Sequence, residues 1–247
     1  MLKGLLTLSW IETKVFLREP LGVLGSLGVP VLVFVLFGRA MQPGPRDAAA
    51  SAEPPFNVTI FAALLIALGA VQSLVAIMAI YREGGILKRL RATPLSPVTI
   101  LGAHVLVKLG FTVVGLVLLV LAGRRVFPGA LPADLVGFAA AVLVSTLSIL
   151  SLGFVLASLV PTARFAQPLG AAVLYPMLAI SGLFVPLEQL PRALRVVAYA
   201  LPTTHAVSLM QGVWDGAGWG ARWADVGALA LAFGVCVALA SRWFRWE

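Results

Sequence analysis

Charged residues are scarce in this chain of 247 residues. They make up 11% of it, whereas 60% of the residues are hydrophobic. Soluble domains usually carry about a quarter charged residues and under half apolar ones. A soluble protein of this length cannot cover its surface with so few charges, and the mean hydropathy of +1.02 agrees. The composition therefore predicts an integral membrane protein and argues against a soluble domain.

Cysteine and histidine are nearly absent as well. The single cysteine, Cys236, excludes an intrachain disulfide. The two histidines, His104 and His205, do not stand among other ligand-type residues at metal-binding spacing. We therefore predict no metal site and interpret both histidines as ordinary interfacial residues.

What the chain does contain is a series of long apolar stretches. A membrane-spanning helix needs about 20 mostly apolar residues. Six stretches qualify: residues 21–38, 58–80, 105–123, 135–160, 168–187 and 226–241. The third carries Lys108 near its start, where a long side chain can snorkel to the interface. The predicted fold class is all-α and polytopic, with six transmembrane helices in a single domain covering residues 1–247.

Basic residues set the predicted orientation. Six spans place both termini on one side of the membrane, and eleven of the 18 Lys and Arg residues then fall on that side, against seven on the other. This excess favours cytoplasmic termini. Because the basic residues are scattered between apolar runs and no nucleic-acid-binding motif occurs, the net charge of +8 does not indicate a nucleic-acid partner.

Residues 2–18 precede the first span and have an amphipathic pattern. Leucines and aromatic residues fall on one face at helical spacing: Leu2, Leu5, Leu6, Trp10, Phe16 and Leu17. Lys3, Lys14 and Arg18 gather on another face, as in a helix lying on the membrane surface. Leu8, Ile11 and Val15 interrupt the pattern, so an irregular basic flank remains the alternative.

Motifs that would supply energy or catalysis are missing. No Gly-x-x-x-x-Gly-Lys-Ser/Thr loop is present to hold nucleotide phosphates. Ion-driven carriers usually place ionisable residues inside their spans, and the centres of these spans hold none. The same absence disfavours an intramembrane enzyme, such as a membrane-bound transferase, which would need a nucleophile, a base or metal ligands. We therefore expect a non-enzymatic membrane protein powered by a partner.

The loop at residues 81–97 holds four of the eleven basic residues predicted to be cytoplasmic. Apolar residues at i, i+1 and i+4 stand beside basic ones: Ile86, Leu87 and Leu90 beside Lys88, Arg89 and Arg91. Glu83 precedes them, where a carboxylate complements a helix N-terminus, and Thr93-Pro94 disfavours further helix. The pattern predicts a short amphipathic helix. Two interpretations stay open: a basic loop that only fixes topology, or a helix that docks on a soluble partner.

Two stretches resemble the permease subunits of type-2 ABC transporters. The first comprises Glu83-Gly84, Leu87, Leu90, Thr93-Pro94-Leu95 and Ser96. The second comprises Ser181-Gly-Leu-Phe-Val-Pro186, Leu190-Pro191 and Ala200-Leu-Pro-Thr203. Gly85 stands where a threonine is common in the family. Family members include drug-resistance, polysaccharide and glycolipid exporters.

The resemblance implies a coupling element in the cytoplasmic loop. Its residues are Glu83, Gly84, Ile86, Leu87, Lys88, Arg89, Leu90, Arg91, Thr93 and Pro94. The implied partners are a P-loop ATPase subunit, which would bind ATP and Mg, a second copy or a related permease, and membrane lipid. This chain itself would bind no cofactor. The implied location is a prokaryotic inner or plasma membrane, and the implied activity is export of an amphipathic, lipid-linked or drug-like substrate. A membrane-embedded assembly or scaffold protein without transport activity is the alternative.

The segment 186–225 is too polar to span and too apolar to lie free in water. Its apolar residues predict two short helices dipping into the outer leaflet, and in the family such a re-entrant segment caps the translocation path. Glycine and prolines mark its breaks: Gly182, Pro186, Pro191 and Pro202. Within the spans, Gln72 and Tyr175 are the candidate pathway residues. The alternative for these mildly polar residues is helix–helix packing, which pairs such as Gly153/Ala157 favour.

Overall fold

A computed structural model of the chain describes residues 2–40, 58–86, 89, 97–126, 134–160 and 162–243. These residues are almost entirely helical and contain no strand. The α-helices are α1 Leu2–Leu17, α2 Pro20–Val23, α3 Val29–Ala40, α4 Val58–Leu64, α5 Ser73–Glu83, α6 Pro97–Val126, α7 Leu135–Leu159, α8 Ala163–Ala179, α9 Arg192–Tyr199, α10 Pro202–Trp214 and α11 Trp223–Trp243. Two π-helical segments, Leu24–Gly28 and Leu65–Gln72, join α2 to α3 and α4 to α5. The all-α prediction is therefore confirmed for the described residues.

Four helices of the described chain are long and apolar enough to cross a membrane. They are Val58–Glu83, Thr99–Arg125, Leu135–Leu159 and Trp219–Arg242. A fifth candidate is the bent pair Lys3–Leu17 and Pro20–Leu36, whose halves meet at 91°. The fifth predicted span, 168–187, corresponds to α8, which has 17 residues and ends at Ala179. At 1.5 Å per residue α8 is about 25 Å long, which is less than the roughly 30 Å of a hydrocarbon core.

Prolines and a capping carboxylate explain several helix starts. Pro20 and Pro202 stand in the first turn of α2 and α10, where a missing N–H costs nothing. Pro97 begins α6 in the same way. Before α7, the Asp134 carboxylate accepts a hydrogen bond of 2.7 Å from the Gly137 N–H. These local signals place the ends of the long helices.

Residues Leu2–Leu17 form a helix, so the irregular flank is not what the chain adopts there. The predicted apolar face is wrong in part. Leu8, Glu12 and Phe16 are buried, while Trp10 is 61% exposed. Because these three buried residues follow one another at four-residue spacing, they share a face, and that face packs on α6. Leu8, which interrupts the predicted pattern, therefore belongs to the buried side.

The second span is the centre of the bundle. An apolar stretch of 18 residues within Val58–Glu83 is 59% buried, whereas that of Trp219–Arg242 is only 17% buried, so the latter helix lies at the periphery. Small residues join the spans, as the packing alternative predicted. Gly153 of α7 lies against Val71 of the second span, and the Ser148 hydroxyl donates a 2.9 Å hydrogen bond to the Leu229 carbonyl of α11. This arrangement places the end of α5 among several neighbouring helices.

The two π-helical segments contact each other where the first two spans cross. A Cβ atom on Gly69 would lie 3.0 Å from the Ser26 carbonyl oxygen. That oxygen belongs to the backbone and cannot swing aside. Glycine at position 69 therefore permits the close approach, and the wide turns of the π-helices accompany it.

We expect Gly69→Val to destabilise the protein by about 1–3 kcal/mol, the usual cost of overpacking. The matched control is Gly110→Val, because no atom lies within 4 Å of a Cβ built at that exposed helical glycine. Thermal unfolding in detergent, followed by tryptophan fluorescence, measures both variants. Equal midpoints for the two variants would show that the Gly69–Ser26 contact does not limit packing.

Candidate functional site at the end of the second span

Three consecutive residues at the end of α5 bond to three different elements. Tyr81, Arg82 and Glu83 are the last residues before the predicted coupling loop. Each side chain makes its hydrogen bond to a part of the chain about 70 to 80 residues away. We call these three residues the tether triplet.

Tyr81 connects the triplet to α1. Its hydroxyl donates to the Glu12 carboxylate, with oxygen–oxygen distances of 2.9 Å and 3.0 Å. Glu12 is 5% exposed. Burial raises the pKa of the Glu12 carboxyl above its ordinary value, whereas the Tyr81 hydrogen bond and the Lys108 charge act in the opposite direction.

Two basic side chains of α6 complete this cluster under α1. His104 Nδ1 lies 3.7 Å from Glu12 Oε2, and its ring stands edge-on to Tyr81. Lys108 Nζ lies 4.4 Å from the centre of the Phe16 ring. α1 covers the Lys108 side chain and leaves it 5% exposed, so protein encloses the amine. Its snorkelling to the membrane interface stays a prediction. His104 is likewise buried.

Arg82 connects the triplet to the end of α7. Its Nη1 and Nη2 atoms donate to the carbonyl oxygens of Val160 and Ala157, at 2.7 Å and 3.0 Å. The last carbonyls of a helix lack partners within the helix and carry partial negative charge. The guanidinium therefore caps α7.

Glu83 connects the triplet to the start of α8. Its Oε1 accepts a 3.0 Å hydrogen bond from the backbone N–H of Ala163, the first residue of α8. The carboxylate complements a helix N-terminus, as expected from its charge, but this helix is α8 and not the helix that follows Glu83 in sequence. Arg82 and Glu83 thus hold both sides of the connection between α7 and α8.

Gly84 and Gly85 end the second span. The Gly84 N–H bonds to the Ile80 carbonyl at 2.9 Å. Gly85 has a φ of +65°, which side chains other than glycine rarely adopt. The glycine that departs from the family pattern thus provides the left-handed residue that commonly ends a helix.

The coupling loop is described only in part. Ile86 and Arg89 are helical, the Arg89 N–H bonds to the Gly85 carbonyl at 3.2 Å, and the Arg89 side chain is exposed. The remaining predicted coupling residues lie outside the described residues: Leu87, Lys88, Leu90, Arg91, Thr93 and Pro94.

The segment 186–225 contains the two short helices that its apolar pattern predicts, α9 and α10. Gly182 turns the chain after α8 with a φ of +86°. Pro186 precedes a short 3-10 turn, Pro191 precedes α9, and Pro202 opens α10. The four predicted break residues thus each stand at a turn or a helix start.

The family model described as ABC-2 type transporter matches residues 3–214. This match runs from α1 through the tether triplet to the end of α10. The chain belongs to the ABC-2 type transporter family. No curated protein matches the chain significantly. The protein is therefore a multi-pass transmembrane subunit of an ABC transporter.

The two candidate pathway residues of this ABC-2 subunit, Gln72 and Tyr175, lie in different surroundings. Gln72, at the end of the second π-helical segment, is 7% exposed, and its Oε1 lies 2.6 Å from where Gly170 of α8 would carry a Cβ. Tyr175 of α8 is 50% exposed. Five residues of helix rotate Tyr175 by about 140° from Gly170. Gln72 therefore faces the bundle interior, and Tyr175 faces away from that contact.

Sequence reasoning missed three polar residues of the ABC-2 junction: Glu12, Tyr81 and Arg82. One signal was present for Glu12, which stands four residues after Leu8 and four before Phe16, so that a carboxylate shares an apolar helix face. Tyr81 and Arg82 gave no comparable signal, since a tyrosine and an arginine commonly end a membrane span.

Proposed function

We propose that this ABC-2 subunit exports an amphipathic, lipid-linked or drug-like substrate, driven by ATP hydrolysis on a separate P-loop subunit. That subunit binds the ATP and Mg, and the loop at residues 81–97 docks on it. The subunit works as a dimer, with a second copy or a related permease, in a prokaryotic inner or plasma membrane. Six spans place both termini in the cytoplasm, with α1 on the membrane surface in contact with lipid.

The tether triplet is the observation that carries this proposal. A loop that only fixes topology needs basic residues but no bonds to distant elements. Here the residues entering the loop bond to α1, to the end of α7 and to the start of α8. Because hydrogen bonds to charged groups are worth about 1.5–3 kcal/mol each, a displacement of the loop moves these elements with it.

The small number of charged residues in the proposed spans supports an amphipathic, lipid-linked or drug-like substrate. Gln72 contributes the polar contact to the path, since its Oε1 is buried and has no hydrogen-bond partner among the described residues. Tyr175, on the exposed side of α8, contributes from the surface that a second permease or lipid covers. The segment with Gly182, Pro186, Pro191 and Pro202 closes the outer end of the path. A path of this composition suits an amphipathic molecule better than a small ion, whose desolvation requires charged or carbonyl ligands.

Affinity purification of the tagged protein from its native membranes, in mild detergent, tests the function. We expect mass spectrometry to identify a P-loop ATPase with the unaltered protein. The ATPase should be lost with the Leu87→Asp and Arg89→Glu double variant, which puts negative charge on the docking helix. Glu83 is left intact here because its substitution would also break the bond to α8.

The matched control is Arg192→Glu, which reverses the charge of another exposed arginine, on α9. This variant should retain the ATPase. If no ATPase is recovered under conditions that keep other ABC complexes intact, the exporter proposal fails and the scaffold alternative replaces it.

A further inference from the structure

A second polar cluster lies where α9, α10 and α11 meet, far along the chain from the tether triplet. Its centre is His205 of α10, whose side chain is 21% exposed. His205 Nδ1 lies 2.8 Å from Asp225 Oδ1, and Nε2 lies 3.0 Å from the Tyr199 carbonyl oxygen. The ring of His205 therefore bridges two other helices.

The two partners of the ring indicate its charge. A backbone carbonyl and a carboxylate oxygen can only accept hydrogen bonds, so both ring nitrogens must donate. A neutral imidazole carries one N–H, whereas the imidazolium carries two. The geometry at His205 is therefore satisfied by the imidazolium.

Asp225 is held as a carboxylate by its other neighbours. The Ser208 hydroxyl donates to Asp225 Oδ2 at 2.8 Å. Arg222 Nη1 donates to that hydroxyl at 2.9 Å and lies 3.8 Å from the same carboxylate oxygen. Asp225 also stands in the first turn of α11, where negative charge is favoured. The second proton of the pair therefore belongs to His205.

Helix ends reinforce the same charge arrangement. Tyr199 is the last residue of α9, so its carbonyl lies at the negative end of that helix. The imidazolium thus stands between the C-terminal end of α9 and the carboxylate at the N-terminal end of α11. Losing the ring proton removes one of the two bonds and leaves a carbonyl or a carboxylate without its donor.

Other titratable side chains stand on the elements around the ring, including Asp215 at the end of α10 and Tyr199 on α9. Arg195 of α9 donates instead to the carbonyls of Glu188 and Leu190. Arg192 is exposed, and Glu188 lies on the 3-10 turn before α9. The two helices α4 and α7, which also pack on α10, contain no titratable side chain, and Tyr175 is the titratable residue in the second half of α8.

We propose that His205 is a proton-operated latch of the outer segment. With the ring charged, His205 ties the turn between α9 and α10 to the start of α11. With the ring neutral, one tie is lost and the turn loosens. The segment is therefore held while the ring carries its second proton and is released when that proton is lost, so the ties weaken as the pH rises. The proposed topology enters this inference at one point: it determines which compartment's pH controls the latch.

Hydrogen exchange of the purified protein in lipid nanodiscs tests the latch, at pH values from 5 to 9 and with rates corrected for the chemical effect of pH. We expect the amides of residues 200–208 to be about tenfold more protected at the acidic end, as for the loss of one charge-assisted bond. His205→Gln, whose two N–H donors leave a single nitrogen and cannot replace donors on opposite sides of the ring, should show the lower protection at every pH. His104→Gln is the matched control and should keep the pH dependence.

A second measurement needs no variant. The chain contains two histidines, so labelled imidazole carbons give two NMR signals. The His205 signal should titrate in step with the change in protection. The latch is overturned if His205 keeps one protonation state from pH 5 to 9, or if the pH dependence persists in His205→Gln. Neither measurement involves an ATPase, so the failure of the latch and the failure of the export proposal are distinguishable.

Discussion

Replacing Arg82 with glutamine is expected to uncouple the transporter while leaving the ATPase bound. The substitution removes the two charge-assisted bonds to Val160 and Ala157, each worth about 1.5–3 kcal/mol. The end of α7 then loses its cap, and a movement of the coupling loop no longer reaches the connection between α7 and α8. The ATPase should still copurify, because the docking residues are unchanged.

Hydrogen exchange measures this uncoupling without knowledge of the substrate. In the unaltered complex, trapping the ATPase with ATP and vanadate should change the exchange of amides at the end of α7 and the start of α8. In Arg82→Gln that response should shrink by about tenfold or more, as expected for a loss of at least 1.4 kcal/mol. An undiminished response in the variant would show that Arg82 does not transmit the movement.

Arg89→Gln provides the opposite pattern as a control. Arg89 lies seven residues later on the same loop, and its side chain is exposed. Its substitution should leave the free energy of unfolding within about 0.5 kcal/mol of the original and weaken ATPase binding instead. A substitution that reduces the hydrogen-exchange response marks a residue that transmits the movement. A substitution that weakens ATPase binding marks a residue that docks on the ATPase.

Glu12→Ala is expected to cause a large loss of stability. Glu12 is the carboxylate in a buried cluster that also contains Lys108, His104 and the Tyr81 hydroxyl. Its removal takes a buried carboxylate away from the Lys108 ammonium, which lies under α1 against the Phe16 ring. Breaking a buried charge pair from one side usually costs about 3–5 kcal/mol. Unfolding in detergent, with a denaturant series, measures the loss.

The double variant Glu12→Ala and Lys108→Met distinguishes this mechanism from a simple loss of packing. Removing both charges should recover more than half of the stability, since apolar replacements of a buried pair are often neutral. Glu188→Gln, at an exposed carboxylate, is the control and should leave the free energy of unfolding unchanged. No recovery in the double variant would mean that Lys108 does not depend on Glu12.

A comparison of the predicted and observed helix ends shows which parts of the fold the local sequence pattern predicts. The predicted spans at 58–80, 105–123, 135–160 and 226–241 correspond to four observed helices that can cross a membrane. The predicted end of the fifth span at residue 187 is wrong, because α8 ends at Ala179 and Gly182 turns the chain soon afterwards. Apolar composition continues past that turn, so hydropathy alone extended the span.

The partners of the polar residues lay beyond the reach of sequence reasoning. Glu83 was expected to complement the N-terminus of the helix that follows it, whereas its carboxylate bonds to the start of α8, 80 residues away. The hydropathy pattern likewise gave no sign that α1, which meets the next helix at 91°, covers the Lys108 side chain.

By itself, the sequence determined the membrane class of the protein, its family and the breaks of the segment 186–225. Each depends on composition, helical periodicity or glycine and proline, which act over a few residues. Only the tertiary structure decided what Glu12, Arg82, Glu83 and His205 do. Their bonds join residues that lie 20 to 80 positions apart. Such pairs form only after the helices have packed, and many pairings of these side chains are compatible with the same hydrophobic pattern.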